Sequence, residues 1–541
     1  MSWTSPAQRW TVYLLIALCA LAVRFGYWAQ IQGTPLDEWQ KWDQSDMATF
    51  VEQARRLAAG DWLAREPYHP YHAWQQVASE ADWVRWYGPL SFHQAPLYSY
   101  GLAVLSKLHS DYLTLAKGLQ LVLGAMTCVL VAHLAGHLGG VAAAVVAGLI
   151  AALYGPLYYL EPQLLREGPA VFGLLVLLWA TMRHAALPRE SPIRRLASSA
   201  ALLGLLLGVY ALFYEIATVL ALVVAGVVVV HGARSAARRP GIALAALLAG
   251  YLVGSSPLLA RNAAVGATWW TGSSRLGVNL AYCNMSTAHD GGATFREPGP
   301  ELRQILDASG GTTWGIVREV WRGYEGRRSQ LLGNWAHRFR ALWAATEMPD
   351  NTSFGFYRRH SSILRRSLSF RWIFPAALAM WVAWLVEWLA SRRRRDAPAP
   401  SEPFRLDRWF AERASAHATL AAFTLVLMLA MTVVPPQSRY RLFLVPAFIV
   451  YTSLALVAAA RLLASRPAAA AGIAGAATAF AALHVWVSEP RTSSEDRYVD
   501  YAVAASIYQK RGDEAAAAEY LRRRVIGPWS DRAQEIAPGE H

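Results

Sequence analysis

Asp46 opens a polar, amphipathic stretch, SDMATFVEQARRLAAGDW (residues 45–62), and Asp43 stands just before it; an apolar run of membrane length precedes both. Arg439 and Arg441 share a short turn between two apolar runs, VPPQSRYRLFLVP (434–446). Glu161 and Glu167 lie in YLEPQLLREGPAVFG (159–173), and His93 and Gln94 near the start of FHQAPLYSYGLAVLSKL (92–108). An ionised carboxylate can take a proton from a hydroxyl. Guanidinium forks can hold a phosphate or another carboxylate. Each residue also has a plainer role. Asp46 or Ser45 suits a helix N-cap, and a helix N-terminus would itself keep Asp46 ionised. Arginines near an interface snorkel. Glutamates at helix ends form ion pairs, and a lone histidine beside aromatics is more often packing than chemistry.

The elements that must hold these residues are membrane spans. A soluble chain carries about a quarter charged residues. Here, in 541 residues, 16% are charged and 55% hydrophobic. Apolar stretches begin near residues 10, 113, 140, 168, 198, 215, 241, 371, 417, 441 and 467, which makes about eleven spans of the usual length. The apolar stretch from 198 to 230 is too long for one crossing and must break near Tyr214-Glu215. The first span is no cleaved signal peptide, because Arg24 interrupts its end and no small-residue cleavage site follows.

Charge orients the spans. The net charge of +14 comes from short clusters beside apolar runs, such as RRRR at 392–395. That is the positive-inside pattern rather than a nucleic-acid surface. The Arg-rich segments 182–195, 231–239, 391–396 and 460–467 all fall on the cytoplasmic side if the N-terminus is cytoplasmic. The long polar segments 31–92 and 262–370, and the tail from 489, then face outward.

The first outward segment is rich in Trp, including Trp39, Trp42, Trp62, Trp74, Trp83 and Trp86. Such aromatics either mark the membrane interface or form a sugar-stacking face. Met47, Phe50, Ala54, Leu57 and Ala58 recur at helical spacing, with Glu52, Arg55 and Arg56 opposite and Gly60 at the C-terminus. This predicts a helix lying on the membrane surface, apolar face down. In the tail, YAVAASIYQKRGDEAAAAEYLRRRV (501–525) reads as one helix pair of tetratricopeptide type with Gly512 at its turn. Single copies of such repeats are unstable alone, so this pair is expected to dock on the outer loops. Cys19, Cys128 and Cys283 show no metal or disulfide spacing.

In their order these segments resemble a GT-C glycosyltransferase, a multi-spanning enzyme that uses a lipid-phosphate-linked sugar as donor. The similarity is to the protein O-mannosyltransferase and aminoarabinose transferase branches and covers roughly residues 10–460. It rests on Asp46, Phe50, Ala54 and Gly60-Asp61-Trp62, on 92–108 with its Pro-Leu element, on 159–173, on SSRLGVNLAYCN (273–284) and on 434–446. The resemblance implies an all-α polytopic GT-C fold over residues 1–488. It would carry two large outward loops with interfacial helices, followed by the tail 489–541. It implies transfer of a sugar from a polyprenyl-phosphate donor to an acceptor hydroxyl of a protein, glycolipid or polysaccharide. The reaction would run with inversion at the outer face of a bacterial cytoplasmic membrane. Asp46 is the expected general base, with Asp43 the alternative. Arg439 and Arg441, then Arg261 and Arg358, are the expected partners of the donor phosphate. His93, Gln94, Glu161 and Glu167 are expected to touch substrate. One departure stands out: the aminoarabinose branch has Glu-Lys-Pro where this chain has His93-Gln94-Ala95, so phosphate binding falls to the arginines.

Two other classes fit a polytopic chain: a flippase or transporter for a lipid-linked sugar, and a polysaccharide polymerase or ligase. A transporter would be expected to show internal repeats and broken midplane helices, and no clear repeat is visible. A polymerase would lean on Arg and His of a late outer loop rather than on an early Asp. No Gly-rich phosphate loop indicates a nucleotide sugar. A divalent cation between Asp43, Asp46 and Glu161 stays open, because no ligand spacing demands one.

Overall fold

The computed structural model describes residues 5–70, 78–235, 238–269, 272–288, 300–393, 406–488 and 498–525. Trp74, the arginines from 394 onward in the basic run and the chain after 525 lie outside the described residues. The described chain is helical, with single bridges between Phe92 and Ser273 and between Tyr154 and Leu368.

Helix α1 (Pro6–Ile31) leads through two 3-10 turns, Pro35–Asp37 and Trp39–Lys41, into α2 (Asp46–Ala58), α3 (Glu80–Tyr87) and α4 (Leu97–Leu108). The bundle continues with α5 (Tyr112–Gly139), α6 (Val141–Leu153), α7 (Gly155–Leu160), α8 (Glu167–Ala185), α9 (Ile193–Ala211), α10 (Ala217–Arg234) and α11 (Pro240–Val265). Five shorter helices follow: α12 (Arg275–Cys283), α13 (Pro300–Ser309), α14 (Thr313–Gly323), α15 (Arg328–Leu342) and α16 (Phe354–His360). After α17 (Ser362–Arg365) come α18 (Phe370–Arg393), α19 (Leu406–Ala411), α20 (Ala414–Thr432), α21 (Ser438–Arg441), α22 (Val445–Ser465) and α23 (Pro467–Ser488). The pair α24 (Tyr498–Lys510) and α25 (Glu514–Val525) ends the described chain.

Ten helices are long and apolar enough to cross a membrane among the described residues, α1, α5, α8 to α11, α18, α20, α22 and α23. They match ten of the eleven expected spans. The remaining one, α6, is apolar but only 13 residues long. Its end is pinned from outside: the Leu368 amide donates to Leu153 O at 2.9 Å and the Gly155 amide to Leu368 O at 2.8 Å. Pro156, in the first turn of α7, has no amide hydrogen to continue the α6 ladder. The long stretch 198–230 does break, between Ala211 and Ala217, and Leu212 O in the break accepts from the Leu97 amide at 2.9 Å.

Small residues let two spans touch backbone to backbone. On α9, Gly204 and Gly208 face Gly250 and Gly254 of α11, and a Cβ on Gly204 or Gly250 would meet the carbonyl of Leu247 or Ala201. This is the small-xxx-small packing of membrane helices, where close approach replaces a hydrophobic driving force. Deeper in the bundle, Arg24 of α1 meets Glu161 at 2.8 Å and 2.9 Å, both side chains fully buried. A Cβ on Gly124 of α5 would overlap the Glu161 carboxylate, so only glycine leaves room for the pair.

Helix α2 does not lie apolar face down on lipid. Met47, Phe50, Ala54 and Leu57 are buried in the protein core. Phe50 packs edge-on against Tyr98 of α4 at 4.9 Å, and Ser99 Oγ donates to Phe50 O at 3.2 Å. The amphipathic period is real, but its partner is α4. A protein surface with matching apolar side chains covers the stripe as well as a bilayer would. The helix pair α24–α25 sits on the same region: Arg511 bonds Glu38 at 2.8 Å and Gly33 O at 2.8 Å, and Lys510 bonds Lys41 O at 2.7 Å. Gly512 makes its turn at φ +79°.

Candidate active site

Ser45 caps α2, its hydroxyl accepting from the Ala48 amide at 3.0 Å. Asp46 is therefore the first helical residue and not the cap. Its carboxylate faces inward and meets groups from four other segments. Arg439 Nη1 donates to Oδ2 at 2.6 Å, Asn351 Nδ2 to Oδ2 at 2.9 Å and Gln94 Nε2 to Oδ1 at 2.8 Å. Arg275 Nη2 approaches at 3.2 Å. The Asp46 amide in turn donates to Asn351 Oδ1 at 2.9 Å, so Asn351 clamps both ends of the residue. Burial opposes ionisation of this carboxyl. The Arg275 and Arg439 guanidiniums outweigh it and hold the group well below the usual carboxylate range.

Arg439 is the hub. Besides Asp46 it pairs with Asp350 and reaches Glu167 at 3.4 Å and the Tyr440 hydroxyl at 3.1 Å. Gln437 Nε2 donates to Asp350 Oδ1 at 2.7 Å and fixes that carboxylate. Glu167, at the start of α8, accepts from the Tyr214 hydroxyl at 3.3 Å through Oε1, while its buried Oε2 has no hydrogen-bond partner.

A second layer ties these groups to the bundle. Arg166 pairs with Glu215 at 2.7 Å, and Glu215 also accepts from the Ala95 amide at 3.0 Å and Ser273 Oγ at 2.7 Å. Burial works against ionised Glu215, but Arg166 prevails and its carboxyl stays below the ordinary value. The α9–α10 break, the loop before α4 and the loop before α12 thus converge on one carboxylate. His93 packs against the rings of Trp83, at 5.5 Å, and His69, at 6.0 Å, and its Nε2 is 3.3 Å from Arg275 Nη1. Burial, with Arg275 and His69 adding to it, pushes this imidazole well below its ordinary value, so it is neutral.

Of the residues expected from sequence, Asp46, Arg439, Gln94, His93 and Glu167 come together here. The others do not. The Asp43 side chain is 76% exposed and pairs with Lys510 at 3.2 Å. Arg441 points away from Asp46, to Glu347 at 2.5 Å and Ala344 O at 2.6 Å. Arg261 holds Leu63 O and Leu90 O, each at 2.8 Å, and lies over the Phe92 ring at 4.4 Å. Arg358 lies over its helix neighbour Phe354. Glu161 is taken by Arg24. Asp43, Asp46 and Glu161 accordingly do not converge on a shared cation position, and among the described residues no group of three or more His, Cys, Asp or Glu is arranged to hold a metal.

Sequence reasoning passed over Arg275, Asp350, Asn351 and Glu215. Arg275 and Glu215 lie in segments already noted, 273–284 and the 214–215 break. The polar run Asp350-Asn351-Thr352-Ser353 carried no spacing that sets it apart from a solvated loop.

Beside the site is a mostly apolar groove of about 480 Å³, walled by Trp62, Phe92, Pro96, Tyr100 and Leu258 with Arg261 at its side. In the chain, Phe92 and Pro96 of the groove flank His93 and Gln94, and Gln94 bonds Asp46.

No protein-family model matches the chain, and no curated protein matches it. Among solved structures it is similar to the archaeal oligosaccharyltransferase AglB from Archaeoglobus fulgidus in complex with an inhibitory peptide and a dolichol-phosphate. There the TM-score is 0.43 at 14% identity, over 96% of this chain and 60% of that one. The oligosaccharyltransferase of the same organism tethered with an acceptor peptide containing the NVT sequon gives 0.41 at 13% identity, over 96% and 59%. The chain spans about 60% of the length of the first of these structures. Fold and site together define a multi-pass helical membrane protein with a charged, nearly enclosed site at one end of its bundle.

Proposed function

We propose that the chain is an inverting glycosyltransferase of GT-C type. It takes a sugar from a polyprenyl-phosphate donor and passes it to an acceptor hydroxyl, with Asp46 as general base. The observation that carries this reading is the Asp46 carboxylate held between two guanidiniums, Arg275 and Arg439, next to an apolar groove. The positive-inside pattern supports a cytoplasmic N-terminus and an outward site on the cytoplasmic membrane. Residues 1–488 then form the transferase proper, and the α24–α25 pair braces the loop that leads into Asp46.

The reaction follows from the charges. The acceptor oxygen bonds to the anomeric carbon as the bond from that carbon to the phosphate oxygen breaks. The hydroxyl proton passes to Asp46 and the lipid phosphate leaves with the electron pair. Without substrate, Asp46 is a weak base because two arginines stabilise its anion. A donor phosphate competes for the same guanidiniums. As they turn to the phosphate, Asp46 loses its counter-charges and its basicity rises. The donor thus activates its own base. Asp350, Glu167 and Asn351 keep Arg439 and Asp46 aligned, and neutral His93 orients Arg275. The groove suits the first isoprene units of the donor.

The test is lipid analysis of a deletion strain, looking for an accumulating polyprenyl-phosphate sugar. The wild-type chain should clear that lipid and Asp46→Asn should not. Complementation by Asp46→Asn would overturn Asp46 as the base. Failure of any lipid-phosphate sugar to accumulate would overturn the donor class.

A further inference from the structure

At the opposite end of the bundle lies a second charged region that the transfer reaction does not use. Helix α8 starts at Glu167 in the Asp46 site and reaches Arg183 sixteen residues later, about 24 Å away at 1.5 Å per residue. There a cavity of about 670 Å³ is lined by Arg9, Arg183, Arg195, His133 and His137, with Trp179 on its wall and no carboxylate in its lining. An adjoining cavity of about 260 Å³ shares Arg9, His133 and His137 and adds Arg413.

Two features separate this region from an ordinary solvated basic face. One wall is held in place: His133 is bonded by the Tyr13 hydroxyl at 3.0 Å and by Trp179 Nε1 at 3.2 Å. The three arginines of the larger cavity also lack internal counter-charges, whereas Arg413 of the adjoining one pairs with Glu412 at 3.1 Å. In the Asp46 site every guanidinium meets a carboxylate. Among the described residues, none of Arg9, Arg183 and Arg195 forms an ion pair with Asp or Glu, although all three line one concavity. Three like charges around a cavity repel one another, and a bound anion relieves that repulsion. Guanidinium forks match the oxygens of phosphate, and basic pockets between membrane helices are a recurring seat for lipid phosphate. Trp179, 38% exposed, supplies an amphipathic ring of the kind that sits at headgroup level.

We propose that this cavity, on the face opposite Asp46, is a phosphate-binding site that takes the phosphate of an anionic ligand. Such a ligand is a phospholipid headgroup of the adjacent leaflet or a soluble phosphate. The proposal stands whether or not the transferase reading is right.

The purified full chain in neutral detergent tests it by thermal unfolding, titrated separately with phosphatidylglycerol, phosphatidylcholine and inorganic phosphate. A saturable stabilisation by phosphatidylglycerol and not by phosphatidylcholine is expected. In Arg183→Gln/Arg195→Gln the half-saturating concentration should rise roughly tenfold or more. Equal protection by inorganic phosphate, lost in the same variant, would assign the site to soluble phosphate. Stabilisation that survives in the variant, or none by either phosphate, would overturn the site. Should the double variant fail to fold, Arg195→Gln alone serves in its place; an unchanged half-saturating concentration there would overturn the site.

Discussion

Asp46 and Glu161 are both buried carboxylates paired with arginine, yet they are built differently. Glu161 is closed by one residue, Arg24, in a pair with both side chains fully buried and Gly124 packed against it. Nothing can enter without breaking that pair. Asp46 is met by residues from four separate segments, with its side chain 10% exposed, an apolar groove beside it and a neighbouring carboxylate oxygen, Glu167 Oε2, left without a partner. A single tight pair fastens two helices. A carboxylate shared among several cations and amides, with an opening, can exchange partners for a ligand. The difference lies in the number of donors and in access, not in the kind of residue.

This contrast is open to direct attack. The largest effect should come from Asp46→Asn: sugar transfer in membranes should fall by about 10²–10⁴-fold, while the chain still folds and is recovered from membranes. A variant that loses both equally would reduce Asp46 to the same class as Glu161. Arg24→Ala should behave in the opposite sense. It leaves Glu161 as an uncompensated buried charge and should cost about 3–5 kcal/mol of stability, read as lost folded protein in a detergent unfolding assay.

A pH series sharpens the contrast further. Asp46 is depressed in the folded state, so its stabilising contribution is complete above the ordinary carboxylate range and is lost as pH falls toward the folded value. The stability difference between wild type and Asp46→Asn should be flat from about pH 5 to 8 and shrink only below about pH 4. A slope at neutral pH would mean that the two arginines do not hold the carboxylate as described. The smallest effect should come from Asp43→Asn, whose exposed pair with Lys510 should leave transfer within about twofold of wild type. A large loss there would return Asp43 to the centre of the mechanism.

Much of this was legible in the chain before folding. Runs of apolar residues have only one low-energy environment, so the membrane helices follow from composition and length. The break at 212–216 follows from the same length limit. Asp46 was visible because a helix start has a local signature of cap, amphipathic period and terminal glycine. Arg439 was visible because a short turn between two spans must lie at the interface.

Other features were not legible, for identifiable reasons. Arg441 lies two residues from Arg439 in the same turn, and residues two apart on a helical turn point in different directions. Which of the two meets Asp46 is decided by the docking of α21, which sends Arg441 to Glu347. Asp350 and Asn351 belong to no periodic pattern and acquire meaning only because the loop before α16 is brought against α2. The α6 helix looked like a span in composition and was cut short by a bond from a residue more than 200 positions away, Leu368. The apolar face of α2 had two physical solutions, lipid and protein, and the presence of α4 chose between them.

The sequence by itself determined the membrane helices, their approximate ends and the chemical groups on offer, because those depend on local hydropathy and on backbone signatures within a few turns. The tertiary structure alone decided which carboxylate is a fastener and which sits in a site. That outcome depends on contacts between residues as distant as Asp46 and Arg439, set by the packing of all the helices between them.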